Sequence, residues 1–257
     1  LSGGVDSRGL AFHLGDRLDT ITHGTPQSVT DDLSDAGVAT AVSREFGWSN
    51  RFIPFPPGSA DAGSLLDRFC AASECRIDHV GGYADGMASY EDLVDRGIRG
   101  LIRGDEVFGW NRRMTTFATR DSVGALLMGD VGLPRGTQDA LASLARHQRP
   151  TASMVRRAEQ PLPVYRDELY RTFRVPAILA PLTETKSCYL DVTTPLLDDE
   201  IVRFAAALPD DLRTDKRFWA EFVAGRSRGI PFAVHRSAPA LGDVIGRPDV
   251  IAVVTAH

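Results

Sequence analysis

The sequence predicts an α/β fold: a doubly wound parallel sheet joined to a mostly helical C-terminal half. Three observations predict it. Short β-branched runs alternate with helix-length runs through the first part of the chain, the pattern of parallel strands linked by crossover helices. A turn rich in glycine and serine opens the chain directly ahead of a helical run. Beyond about Arg112 strand-like runs become scarce and helical segments replace them.

After the opening "LSGGVDS", apolar residues at Leu10, Phe12, Leu14 and Leu18 predict a helix over Ser7 to Leu18. "LDTITHG" reads as a short strand with a glycine stop. "DDLSDAGVATAVSREFG" reads as a helix capped by Asp31 or Asp32 and ended by Gly47, with Leu33, Ala36, Val38, Ala41, Val42 and Phe46 as its apolar face. "RFIPFPPG" is a strand stopped by prolines. Helices follow in "SLLDRFCAASEC" and "GGYADGMASYEDLVDRG", then a short strand in "IRGLIRG". Ligands of such sheets sit outside the carboxyl ends of the strands, where both "LSGGVDS" and "RGDEVFGW" fall. Further helices are expected around 121–129, 137–147, 151–159 and 164–174. Two more, with a proline-marked turn between them, are expected in "TTPLLDDEIVRFAAALPDDLRTDKRFWAEFVAG". The tail from Ile230 is rich in proline and glycine, with an apolar run at Val250 to Val254.

The 257 residues suffice for a sizeable core, and 43% hydrophobic with 25% charged residues is ordinary globular composition. A net charge of −5 argues against a general nucleic-acid or anionic-membrane partner. No apolar run approaches the roughly 20 residues that span a bilayer. Cys70, Cys75 and Cys188 fit reduced thiols, chiefly small buried apolar residues, in a cytoplasmic protein. Lysine occurs only at Lys186 and Lys216, which leaves few candidates for any task that needs one.

The opening loop has the chemistry of a phosphate site. Gly3 and Gly4 admit close backbone approach, and Ser2 and Ser7 offer hydroxyls. The following helix points its positive end at the loop. Asp6 would repel a bare phosphate, but not one carrying Mg²⁺ between them. A glycine-rich turn capped by serine is the structural alternative.

"SGGVDS" resembles the pyrophosphate-binding loop of the ATP pyrophosphatases, the PP-loop enzymes, which cleave ATP between the α- and β-phosphates. Within them the chain is most similar to the synthetase domain of the asparagine synthetases. "LSGGVDSR" resembles their L-S-G-G-x-D-S. "DDLSDAGVATAVSREFG" resembles the segment after their second strand. "GDEVFGW" resembles their D-E-[LV]-F-G-G, and "TPLLDDEIVRFAAALPDDL" their R-x-P-F-L-D-x-x-[LI]-V-x-x-A-x-x-[LI]-P. The matches keep family order from residue 1 to about 212.

The resemblance implies a PP-loop ATP-binding core over residues 1–111, with its first strand upstream of Leu1, and a helical substrate-side region over 112–257 packed on the same domain. It implies ATP and Mg²⁺. Ser2, Gly3, Gly4, Asp6 and Ser7 would hold the β- and γ-phosphates, Asp6 and Asp105 the metal. Gly104 would lie on the second phosphate-side loop, with Glu106 supporting Asp105. Leu1 and Ile21 to Gly24 would border adenine and ribose, His23 in a packing role. The implied reaction adenylates a small-molecule or peptide carboxylate, releases pyrophosphate, and passes the acyl group to ammonia or an amine. A glutaminase domain or subunit is a possible further partner; nucleic acid and membrane are not expected.

The chain departs from the family pattern in three places. The second loop is shortened to "IRGDE", with Arg103 where backbone N–H groups usually serve. Ala238 stands where relatives carry a lysine that stabilises pyrophosphate; Arg236 supplies a charge there, and Lys216 is the other candidate. Thr193 replaces the arginine ahead of Pro195. These departures indicate a diverged member, of the kind that closes β-lactams or lasso-peptide macrolactams. The alternative is an inactive nucleotide-binding relative serving as a scaffold. A tRNA-modifying or NAD-forming PP-loop enzyme is disfavoured by the acidic charge and by the two later motifs.

Overall fold

The structure, a computed structural model, describes residues 1–54, 62–74, 86–105, 115–125, 127, 137, 142, 150–238 and 246–256. The expected helix at 137–147 therefore lies almost wholly outside the described residues, as do Cys75 and the motif residues from Glu106 to Trp110. The chain divides into two compact units. One comprises Leu1–Glu106, Pro181–Asp198 and Phe218–His257; the other comprises Val107–Ala180 and Asp199–Arg217.

In the first unit, helix α1 (Val5–Leu14) starts at Gly4 and carries Asp6 in its first turn, favourably placed on the helix dipole. It buries Leu10 and Ala11 and ends in a short 3₁₀ turn, Gly15–Arg17. Strand β1 (Thr20–Gly24) pairs in parallel with β2 (Asn50–Pro54), Thr20 opposite Asn50 and His23 opposite Ile53. Between them runs α2 (Asp35–Phe46), whose Ala36, Val38, Ala39 and Val42 are almost fully buried. Its cap is Ser34, whose hydroxyl accepts from the Gly37 N–H at 3.0 Å, rather than Asp31 or Asp32. Asp31 instead accepts from the Leu33 N–H, an Asx-turn that delays the helix by three residues. Gly47 closes α2 in the left-handed conformation, as expected.

Helices α3 (Ala62–Ser73) and α4 (Gly86–Asp95) follow as the sequence predicts, and Arg68 pairs with Glu91 between them. Strand β3 (Gly100–Ile102) pairs in parallel with β4 (Asp191–Thr193), a strand the sequence reading does not contain. The described strands thus form two parallel pairs in an α/β arrangement. An apolar cavity of about 180 Å³ lies between β1 and β3, walled by Leu1, Leu10, Ile21, Leu93 and Leu101. The remaining α-helices among the described residues of this unit are α7 (Ala180–Ser187, its first residue excepted), α10 (Arg217–Ala224, its first residue excepted) and α11 (Pro248–Ala256); α11 takes in the apolar run of the tail. Cys70 and Cys188 are exposed thiols, not buried as expected.

In the second unit, α5 (Thr116–Ser122) is capped by Thr115, whose hydroxyl accepts from Ala118 N at 3.0 Å; it stops short of the 121–129 expected. Only a 3₁₀ turn, Ala152–Met154, stands where a helix over 151–159 is predicted. Helix α6 (Leu162–Leu169) continues through a wide π-type segment, Tyr170–Leu179, into α7. Pro176, which has no N–H to give, lies inside that segment and accounts for a departure from regular α register. Arg166, 2% exposed, is held by Asp167 at 2.8 Å and Asp210 at 3.2 Å. Two short helices, α8 (Asp199–Ala207) and α9 (Asp210–Arg213), divide at Pro209, and a turn at Asp215 and Lys216 with positive φ separates them from α10. The expected two helices become three. Among the described residues no helix is long and apolar enough to cross a membrane.

Candidate nucleotide site

The opening loop is built by its own residues. Ser7 Oγ accepts from the Ser2 N–H at 2.9 Å, the two hydroxyls lie 2.9 Å apart, and Ser2 Oγ accepts from the Gly4 N–H at 3.2 Å. Both serines thus shape the turn directly. Leu1 is bonded alongside β1: its amine donates to Ile21 O, and its carbonyl accepts from Thr22 Oγ1 at 2.8 Å. Burial lowers that amine to about 6.

Arg8, 0% exposed, secures the loop from behind. It donates to Gly3 O at 3.2 Å, Ile230 O at 2.9 Å, Pro231 O at 2.8 Å and Ser227 Oγ at 3.1 Å. From there the chain runs as a strap across the loop and the start of α2. Ala233 N donates to Gly3 O at 3.0 Å, His235 N to Leu33 O at 3.0 Å, and Ser237 Oγ accepts from Ala36 N at 2.7 Å. Gly3 is glycine for lack of room: a Cβ there would lie 2.5 Å from that of Ala233. Its N–H donates to Asp35, whose pKa is raised by burial and held back by this bond and by Arg236.

The strap brings Arg236 to a cavity of about 280 Å³ that it shares with Leu1, Ser2, Thr22, His23 and Asp35. These residues come from four stretches of sequence and meet at the carboxyl end of β1. His23 lines this cavity with a partly exposed side chain. Its pKa is lowered by partial desolvation and then by the charges of the Leu1 amine, Arg103 and Lys186.

The second expected loop meets the first by direct backbone contact. A Cβ on Gly104 would stand 2.8 Å from Ser7 N and 3.2 Å from the Cβ of Asp6. Asp105 therefore follows a residue that touches the first turn of α1. Its carboxylate is held by Arg103, with contacts of 3.2 Å and 3.1 Å, and is only 15% exposed. Arg103 N donates to Thr193 O at 2.9 Å, which fixes this loop to β4.

Asp6 and Asp105 fit a magnesium ion only together with a ligand. Among the described residues no group of three or more His, Cys, Asp or Glu side chains stands ready to hold a metal. Mg²⁺ commonly takes one or two carboxylates and completes its shell with phosphate oxygens and water. Two adjacent carboxylate-bearing turns match that habit.

No protein-family model, no curated protein and no solved structure matches this chain. The structure brings Leu1, Ser2, Gly3, Gly4, Asp6, Ser7, Ile21, His23, Gly104, Asp105 and Arg236 into one neighbourhood. Glu106 lies outside the described residues, and Lys216 belongs to the other unit. Sequence reasoning gave no role to Arg8, Asp35 or Lys186. Arg8 follows the motif directly and was legible as part of it; Asp35 and Lys186 carried no signal of their own.

Proposed function

We propose that the chain is an ATP-dependent, AMP-forming amide ligase of the asparagine synthetase type, with a doubly wound PP-loop sheet. The observation that carries this reading is the contact of Gly104 with Asp6 and Ser7, which sets two carboxylate-bearing turns side by side at the end of a strand pair. In this reading the cavity at Leu1, Thr22 and His23 receives the adenosine part of ATP. The N-terminal end of α1 receives the phosphates, with Arg236 at the rim. Asp6 and Asp105 would hold Mg²⁺, which neutralises phosphate charge when bound. The doubly wound sheet requires one more parallel strand, in the apolar cavity between β1 and β3 with Leu1 at its carboxyl end.

The protein residues orient and discriminate. Arg103 keeps Asp105 from meeting Asp6 as an unscreened like charge until a cationic ligand arrives. Asp35, which accepts from Gly3, stiffens the loop that faces the phosphates. A substrate carboxylate attacks the α-phosphorus, the bond to the bridging oxygen breaks, and pyrophosphate leaves with the electron pair. Ammonia or an amine then attacks the acyl carbon and expels AMP. The cytoplasmic setting expected for such an ATP enzyme belongs to the same proposal.

Exchange of labelled pyrophosphate into ATP, measured across a panel of carboxylic acids with Mg²⁺, tests the reaction. Exchange with at least one acid, lost in both Asp6→Ala and Asp105→Ala, is the expected outcome; full exchange in both variants overturns the metal assignment. The ion pair of Asp105 with Arg103 favours one second reading, a nucleotide-binding scaffold without chemistry. It predicts ATP binding with no exchange for any acid.

A further inference from the structure

Arg103 and Asp105 stand two residues apart on the loop that follows β3, and their side chains are only 18% and 15% exposed. Their pairing is uneven. Arg103 Nη2 donates to Asp105 Oδ1 at 3.2 Å, whereas Nη1 and Oδ2 lie 3.1 Å apart without the alignment of a hydrogen bond. Each of these two atoms is buried and has no hydrogen bond among the described residues. A guanidinium and a carboxylate bind best as a fork with two parallel hydrogen bonds. Here one prong is made, and one donor and one acceptor stay unspent side by side.

The backbone puts this pair at the N-terminal end of α1. Gly104, which joins the two residues, packs so closely there that a Cβ on it would lie 2.8 Å from Ser7 N and 3.2 Å from the Cβ of Asp6. Arg103 N donates to Thr193 O at 2.9 Å, which ties the arginine backbone to β4. A buried donor or acceptor without a hydrogen bond is costly. A polyphosphate bound with its cation meets both needs at once, because phosphate oxygens accept from a guanidinium and the cation takes a carboxylate. Arginine suits such a change of partner: its planar fork fits carboxylate and phosphate alike and is weakly hydrated.

We infer that Arg103 is a phosphate-binding residue held in reserve: it pairs with Asp105 in the free protein, and with a metal-bound nucleotide in place it turns to the phosphate oxygens and leaves Asp105 to the metal. The inference rests on the nucleotide reading above and adds a condition to it, that the two carboxylates accept a divalent cation only together with phosphate. The structural alternative is a permanent ion pair that fixes the loop.

Two binding measurements on the full chain test the exchange. The first uses Mn²⁺ alone, read by electron paramagnetic resonance. Arg103→Met should tighten Mn²⁺ about tenfold or more, and adding Asp6→Ala should remove the gain. A Mn²⁺ affinity equal to the parent's, or a gain that survives Asp6→Ala, overturns the exchange. The second uses ATP with a chelator, so that no metal takes part. Asp105→Asn releases Arg103 and should tighten ATP about tenfold. The double variant Arg103→Met with Asp105→Asn is as neutral as the parent pair and should return to the parent's affinity. No gain in Asp105→Asn, or a gain kept in the double variant, overturns the role of Arg103 and leaves the nucleotide reading standing. A parent protein that binds ATP neither with Mg²⁺ nor without it overturns both.

A third measurement does not depend on these variants folding. Guanidinium ¹⁵N NMR follows Arg103 in the unaltered chain, with the charge-keeping Arg103→Lys assigning its signal. Magnesium ATP should shift that signal and Mg²⁺ alone should leave it in place. An Arg103 signal unmoved at saturating magnesium ATP contradicts the inference.

Discussion

Arg8 directs four hydrogen bonds to three carbonyls and a hydroxyl from a fully buried position, and its guanidinium also lies 4.7 Å from the centre of the Phe232 ring. Arg8→Ala leaves Gly3 O, Ile230 O and Pro231 O without that donor. It should destabilise the fold by about 3 kcal/mol or more, read from urea denaturation; an unchanged midpoint contradicts the clamp. Lys186 gives a pH dependence with a definite sign. Burial lowers its pKa from the ordinary lysine value of 10.5 to about 6, so between these limits the unfolded chain holds a proton that the folded chain lacks. Stability should therefore rise with pH through that window, by up to about 1.4 kcal/mol per pH unit from this group, and below it the slope should vanish, with the cost of burying the charged lysine at its fullest. Lys186→Met should flatten the profile measured by urea midpoints. The clamp made by Arg8 was not legible beyond its place directly after the motif, because burial and hydrogen-bond partners are properties of the folded chain. Ser2, Gly3, Asp6 and Ser7 were legible, because the chemistry of their loop is local.

Elements were legible where their signal is local. The β-branched run that became β1, the apolar face of α2 and its Gly47 stop are written in short stretches of sequence. Strand β4 was missed because three residues carry little pattern; Val192 and Thr193 are its only β-branched members, and its pairing with β3 is remote in sequence. The strap was missed for the same reason: proline and glycine mark it as irregular, while its order comes from Gly3, Leu33 and Ala36. Two predictions belong to this scale. Gly104→Ala must push apart two backbones already in contact, so ATP affinity should fall about tenfold while the fold survives. Titration calorimetry checks it, and unchanged affinity contradicts the juxtaposition. A short β-branched extension ahead of Leu1 should raise the urea midpoint above that of a Gly/Ser extension of equal length, by entering the apolar cavity between β1 and β3. Equal midpoints contradict the added strand.

At the scale of the molecule, sequence composition pointed to one boundary near residue 111, whereas the compact units interleave. Pro181–Asp198 and Phe218–His257 join the unit that holds the opening loop. That interleaving is what delivers β4 and the strap to the site, and no window of sequence short enough to show periodicity contains it. The α/β class was legible from alternation alone. The site was legible in its two loops and hidden in everything that arrives from the second half of the chain. The central claim is that Asp6 and Asp105 face one metal-bound nucleotide. Amide NMR with Mn²⁺ in place of Mg²⁺ tests it most directly: addition of Mn²⁺ with ATP should broaden the signals of Gly4 to Ser7 and of Gly104 and Asp105 together, and Mn²⁺ alone should not. Broadening of one stretch without the other, or of neither, would contradict the account.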